Sequence, residues 1–163
     1  MERDHEDRAI EQRADRAISA VAPVAVFRSD DGQEFLLVLS NVERGKLHVV
    51  LRINGVRPDI LEITVSPAGY YHAGERARLM ELVNDWNRDN HWPKAFVRET
   101  AQPSHVSVVG ESAYLLTDGI HLAALGNFVK SAVEYGTDLF AKIEQAIALP
   151  SAQALEQWMD RTG

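Results

Sequence analysis

Pro93 places the tightest constraint on this chain. Leu79, Leu82, Val83 and Trp86 recur at helical spacing, which gives residues 74–87 one apolar face to lay against a sheet. Proline disfavours helical backbone at the residue before it, so Trp92 must be extended. The helix therefore stops on Asn87-Arg88-Asp89-Asn90, turns through Trp92-Pro93, and leads into a strand over 95–98.

The flanking sequence alternates strand and helix signals. Residues 4–21 carry Ile10, Ala14, Ala17, Ile18 and Val21 at three- and four-residue spacings, the stripe of an amphipathic helix. Its Arg3, Arg8, Arg13 and Arg16 interleave with Glu2, Asp4, Glu6, Asp7, Glu11 and Asp15, a solvated face of mixed sign. Pro23 ends it, and apolar runs follow at 24–27, 35–42, 47–53 and 60–65. The separators Ser29-Asp30-Asp31-Gly32, Glu43-Arg44-Gly45 and Asn54-Gly55 are turn chemistry, so an antiparallel meander is expected.

Runs at 105–109 and 113–117 around Gly110-Glu111-Ser112 read as a further hairpin. Over 120–149, Leu122, Leu125, Val129, Ala132, Gly136, Leu139, Ile143 and Ala146 form one helical stripe, with Phe128, Val133, Phe140 and Ile147 beside it. So wide a face suits a helix packed on a sheet, with room for a partner subunit along part of its length. Gly126 and Gly136 are costly in a helix unless another backbone comes close or the helix breaks there; one continuous or mildly kinked helix is expected. Pro150 stops it, and Ser151 caps a short helix over 151–160 with Leu155, Trp158 and Met159. The order is helix, strands, helix, strands, helix, read as one domain over 1–163 with its core at 24–149.

Composition narrows the function. A formal charge of -7 and a pI near 5.3 oppose nucleic-acid binding, which needs clustered cations. The absence of cysteine excludes disulfides, thiolate catalysis and Cys-ligated metal. With a charged N-terminus and no apolar run near the roughly 20 residues that span a bilayer, no membrane partner is expected and the cytoplasm is the expected compartment. His5, His48, His72, His91, His105 and His121 lack metal-ligand spacing, and no glycine-rich phosphate loop occurs, so neither metal nor cofactor is expected. His48 and His105 fall in strands, where alternation would put them at the sheet surface; His72 and His91 sit beside turns.

Ser107 and Ser112 lack a nucleophile elbow, Asp30-Asp31-Gly32 lacks the later ligands of a calcium loop, and Asp85 with Asp89 reads as a soluble helix end. An enzyme would need a pocket assembled from residues far apart, such as His72, His91 and Asp85. A small-ligand sensor would need an apolar cavity between the sheet and the last helix.

Residues 82–97 carry the candidate site. Packing alone accounts for their types: Trp86 buries its indole, Asn87 satisfies loose backbone groups at the helix end, and Trp92 covers the start of the strand. A functional account makes Trp92, Arg88 and Lys94 an aromatic and basic contact patch, since Trp and Arg are favoured interface anchors. The candidate binding residues are thus Trp86, Arg88, Trp92 and Lys94.

Leu82-Val83-Asn84-x-Trp86-Asn87 followed by Trp92-Pro93-Lys94-Ala95 resembles the turn signature of the YbjN-like family of proposed bacterial sensory transduction regulators. The likeness runs over about 24–147. It implies an α+β domain, an antiparallel sheet flanked by helices similar to the type III secretion chaperones, which are small, acidic, commonly dimeric and hold segments of a client. It supplies no catalytic residue. The expected function is a non-enzymatic protein-binding module, chaperone-like or a regulatory adaptor, acting as a homodimer with a protein client held at an edge strand or along the last helix.

Overall fold

Apolar and polar residues alternate along β4 (Ile60–Pro67) so regularly that the strand has one face for a core and one turned away from it. Every second side chain, Leu61, Ile63, Val65 and Pro67, is buried, while Glu62, Thr64 and Ser66 between them are only half-buried. The computed structural model describes residues 25–30, 34–41, 45–53, 56–57, 59–116 and 121–147. The helices expected over 4–21 and 151–160 lie outside them.

Seven strands form one antiparallel sheet among the described residues. β1 (Ala25–Arg28), β2 (Glu34–Asn41), β3 (Gly45–Ile53) and β4 pair consecutively as the expected meander. β4 then pairs β7 (His105–Leu115), and the two-residue β5 (Tyr71–His72) continues on that same side of β7. β6 (Lys94–Glu99) pairs the opposite side of β7 and forms one margin of the sheet, as β1 forms the other. A 3-10 turn, Ala73–Glu75, opens α1 (Arg76–Asp89), and α2 (Leu122–Ala146) follows β7.

Both helices cover one face of the sheet: α2 lies over β4 and β7, and α1 over β6. Leu79, Val83 and Trp86 of α1 and Leu125, Val129, Leu139 and Ile143 of α2 meet Val49, Leu51, Ile63, Val65, Val106 and Val108 of the sheet in one core. On the other face the strands are tied by polar rungs. Arg52 lies opposite Glu62 and donates to its carboxylate at 3.0 Å. Lys94 lies opposite Glu111, with Nζ 2.7 Å from Oε1.

The expected hairpin around Gly110-Glu111-Ser112 is absent, because β7 runs unbroken through those residues. Gly110 serves packing rather than reversal. A Cβ there would stand 2.7 Å from Pro93 Cγ and 3.0 Å from Leu139 Cδ2, so a bare backbone lets the Trp-Pro turn and α2 close over mid-strand. His105 corrects a second expectation. It is 5% exposed, not a surface residue, because the start of β7 is buried on both faces. His48 is half-buried and His72 and His91 are exposed.

α2 is continuous through Gly136, whose missing side chain makes room for Val65: an added Cβ would lie 2.9 to 3.0 Å from the three carbons of that side chain. At Gly126 nothing lies within 4 Å. One glycine brings helix and sheet together, and the other does not.

Tyr71 is buried against this core, and its hydroxyl finds no hydrogen-bond partner among the described residues. Burial, with a smaller contribution from the Glu144 charge, raises its pKa above the ordinary value. A folded pKa above the unfolded value of about 10 gives a contribution fully present below pH 10, which is lost as the pH rises, because the unfolded tyrosine ionises first. Tyr71→Phe is expected to raise stability by about 1 kcal/mol at neutral pH by removing an unsatisfied buried hydroxyl. It should also flatten the decline above pH 10, both read from urea unfolding across pH.

Candidate functional site

The turn between α1 and β6 is built from bonds between its own residues. Trp86, in the last turn of α1, is 5% exposed, and its indole N–H donates to the Pro93 carbonyl at 3.0 Å. Lys142 of α2 stands over the indole, its Nζ 6.0 Å from the ring centroid, a cation–π contact that joins the two helices. The Trp86 carbonyl accepts from the Asn90 backbone N–H at 2.8 Å and from Asn90 Nδ2 at 3.1 Å, which closes the helix end. The Trp92-Pro93 peptide is cis, and Pro93 is buried.

Asn87 does not cap its own helix. Its Nδ2 donates to the Ala95 carbonyl at 2.9 Å, and its Oδ1 accepts from the Ala95 N–H at 2.8 Å. A side-chain amide thus stands where a neighbouring strand's peptide group would stand. Sequence reasoning gave Asn87 a partner within the helix. The signal available was the short link from Asn87 through Trp92-Pro93 to Ala95, which places Ala95 beside the last turn of α1.

The four expected binding residues divide. Trp86 is enclosed, and its contacts are those of a packing residue. Arg88 is exposed but held by carboxylates of its own helix, with Asp85 at 2.9 Å and Asp89 at 2.8 and 3.1 Å. These bonds act in opposite directions on the two partners: the hydrogen bond to Asp89 raises the Arg88 pKa, and the hydrogen bond from Arg88 lowers that of Asp89. Lys94 is bound to Glu111 and stands 5.7 Å from the Phe96 ring centroid. Trp92 is 51% exposed, with about half of its surface in water. The patch is therefore one open indole beside two neutralised cations.

His72, His91 and Asp85 are not brought together. His72 precedes α1, and Asp85 and His91 lie at its far end. A helix of 14 residues holds such ends roughly 20 Å apart. His72 instead stacks on its cross-strand neighbour His105, ring centroids 5.9 Å apart, with Tyr70 at 6.3 Å from His105 and Ser104 Oγ at 3.0 Å from His105 Nδ1. No group of three or more metal-ligating side chains occurs among the described residues. No described helix is long and apolar enough to cross a membrane.

Comparison with known proteins agrees with this architecture. No protein with a curated description matches the sequence. In three dimensions the chain is similar to YbjN of E. coli, described as "a putative transcription regulator", with a TM-score of 0.62 and 11% identity over 83% of this chain and 91% of that one. It is also similar to a chain of the ExsC–ExsE complex, with a TM-score of 0.51 and 11% identity over 89% of this chain and 97% of that one. The shared fold is α+β, an antiparallel sheet with two helices among the described residues, and matches the ExsC chaperone fold. Residues 22–145 match the sequence profile of the YbjN family, described as "putative bacterial sensory transduction regulator", and the chain belongs to that family.

Proposed function

We propose that this chain is a non-enzymatic protein-binding module, a chaperone-like or regulatory adaptor that acts as a homodimer in the cytoplasm and engages a protein client. The family's description as a regulator and the fold shared with a chaperone in a protein complex support the reading. Fold likeness by itself transfers no activity, so the observation that carries the reading is Trp92. Trp92 is 51% exposed on a turn whose Trp86, Asn87, Asn90 and Lys94 side chains are all bonded within the chain. A tryptophan presented on a firmly bonded turn loses little conformational freedom on contact, which suits an interface anchor.

Arg88 and Lys94 then act as the rim. Their carboxylate partners keep them in place and leave little net charge to attract an acidic surface. Trp92→Ala is expected to weaken client binding about tenfold. Its unfolding midpoint should stay near the wild-type value, because exposed substitutions change stability by about 0.5 kcal/mol or less. Affinity capture from the native cell extract, paired with thermal melting and sedimentation velocity, reads binding, stability and dimer mass together. Equal capture by wild type and variant would remove Trp92 from the interface, and a monomeric mass would remove the homodimer.

A further inference from the structure

Building on the protein-binding reading, we propose that the outer edge of β6 binds a short, extended, acidic segment of a partner protein by strand addition at Val97 and Glu99, with Arg98 as its charge contact. In an antiparallel pair, the residues that bond to one neighbour alternate with residues whose N–H and C=O face the other way. Ala95 spends both groups on Asn87, so it faces away from β7. Val97 and Glu99, in the same alternation, face outward too. The Asn87 amide fills the Ala95 rung and closes the first part of the edge, leaving the rungs at Val97 and Glu99 without a partner among the described residues.

Charge decides what can fill them. Of the acids near this edge, Glu99 is held by Arg76 and Glu111 by Lys94. Arg98 is exposed and makes no ion pair among the described residues. Arg76 pairs with Glu99 at one end of α1 and Asn87 with Ala95 at the other, so Met80, one turn on from Arg76 and 53% exposed, flanks the open stretch. An incoming segment would meet an apolar neighbour on one side and a cation on the other.

A second copy of this chain fits poorly. Antiparallel self-pairing about Val97 would set Glu99 of the second copy against Ala95, where the Asn87 amide already stands. Self-pairing that uses only the two open rungs is centred on Arg98 and sets one Arg98 directly opposite the other, a repulsive arrangement across a sheet. A carboxylate opposite Arg98 reverses that sign.

The probe is a fluorescent peptide of about six alternating Val and Asp residues, with a Val and Lys peptide as control, titrated into the full chain and followed by anisotropy. Amide hydrogen exchange of the isotope-labelled protein locates the contact. The expected result is saturable binding of the Asp peptide alone, with slowed exchange at Val97 and Glu99 and none added at Ala95. Arg98→Glu, an exposed change that leaves the β6 and β7 ladder intact, should weaken the Asp peptide about fivefold and improve the Lys peptide. Absence of saturation, indifference to Arg98→Glu, or protection at β1 or beside Trp92 would each overturn β6 as the site. A client whose capture still depends on Trp92 would then leave the protein-binding reading standing, whereas loss of both results would end both.

Discussion

Trp86→Ala is expected to destabilise the fold by about 3 to 5 kcal/mol, the range for removing a buried aromatic side chain. Against a total of about 5 to 15 kcal/mol for a typical domain, that would bring the chain near its folding threshold. Three losses combine at this position. The buried ring leaves a cavity, the Pro93 carbonyl loses its 3.0 Å donor, and Lys142 loses the ring over which it stands. Trp86→Phe keeps most of the apolar area and removes the N–H, so its deficit should be smaller and should include about 1 kcal/mol for the hydrogen bond. Urea denaturation followed by circular dichroism measures both. A Trp86→Ala variant as stable as wild type would mean that the turn does not depend on this ring.

Two glycines in one helix should respond with opposite signs. Alanine is favoured over glycine within a helix by about 1 kcal/mol, and at Gly126, where nothing lies within 4 Å of the new Cβ, that gain should appear almost whole. At Gly136 the same Cβ would press on all three carbons of the Val65 side chain at 2.9 to 3.0 Å. Valine is β-branched and stiff at χ1, so it cannot swing aside, and α2 must lift from β4. Gly136→Ala is expected to cost about 2 kcal/mol net of the propensity gain. Thermal melts of the two variants beside wild type should bracket it, Gly126→Ala above and Gly136→Ala below.

These positions show where sequence is informative. The β1 to β4 meander follows from local alternation and turn residues, and the end of α1 follows from Pro93. Of the stripe expected on α2, Leu125, Val129, Ala132, Gly136, Leu139 and Ile143 are buried, while Leu122 at its start is exposed and Ala146 at its end is half-buried. Local signals fail where the cause is a distant contact. Gly110-Glu111-Ser112 has the composition of a turn, yet the strand continues because Pro93 and Leu139 need the space at Gly110. The pairing of Lys94 with Glu111 exists only once β6 and β7 are in register, whereas Arg88 finds Asp85 and Asp89 on its own helix. His105 is buried because β7 lies between β6 and the β4 and β5 side, a position its own neighbours in sequence do not encode.

The residues of the Trp-Pro turn divide between holding it closed and facing solvent. Trp86 and Asn87 secure it from within, and Trp92 faces outward. The most direct test follows the indole N–H resonances of isotope-labelled protein, assigned by Trp86→Phe and Trp92→Phe substitution, as the captured client is added. The Trp92 resonance should shift or broaden at saturation while the Trp86 resonance stays in place. A client that binds at full occupancy and leaves the Trp92 resonance unmoved would contradict this expectation.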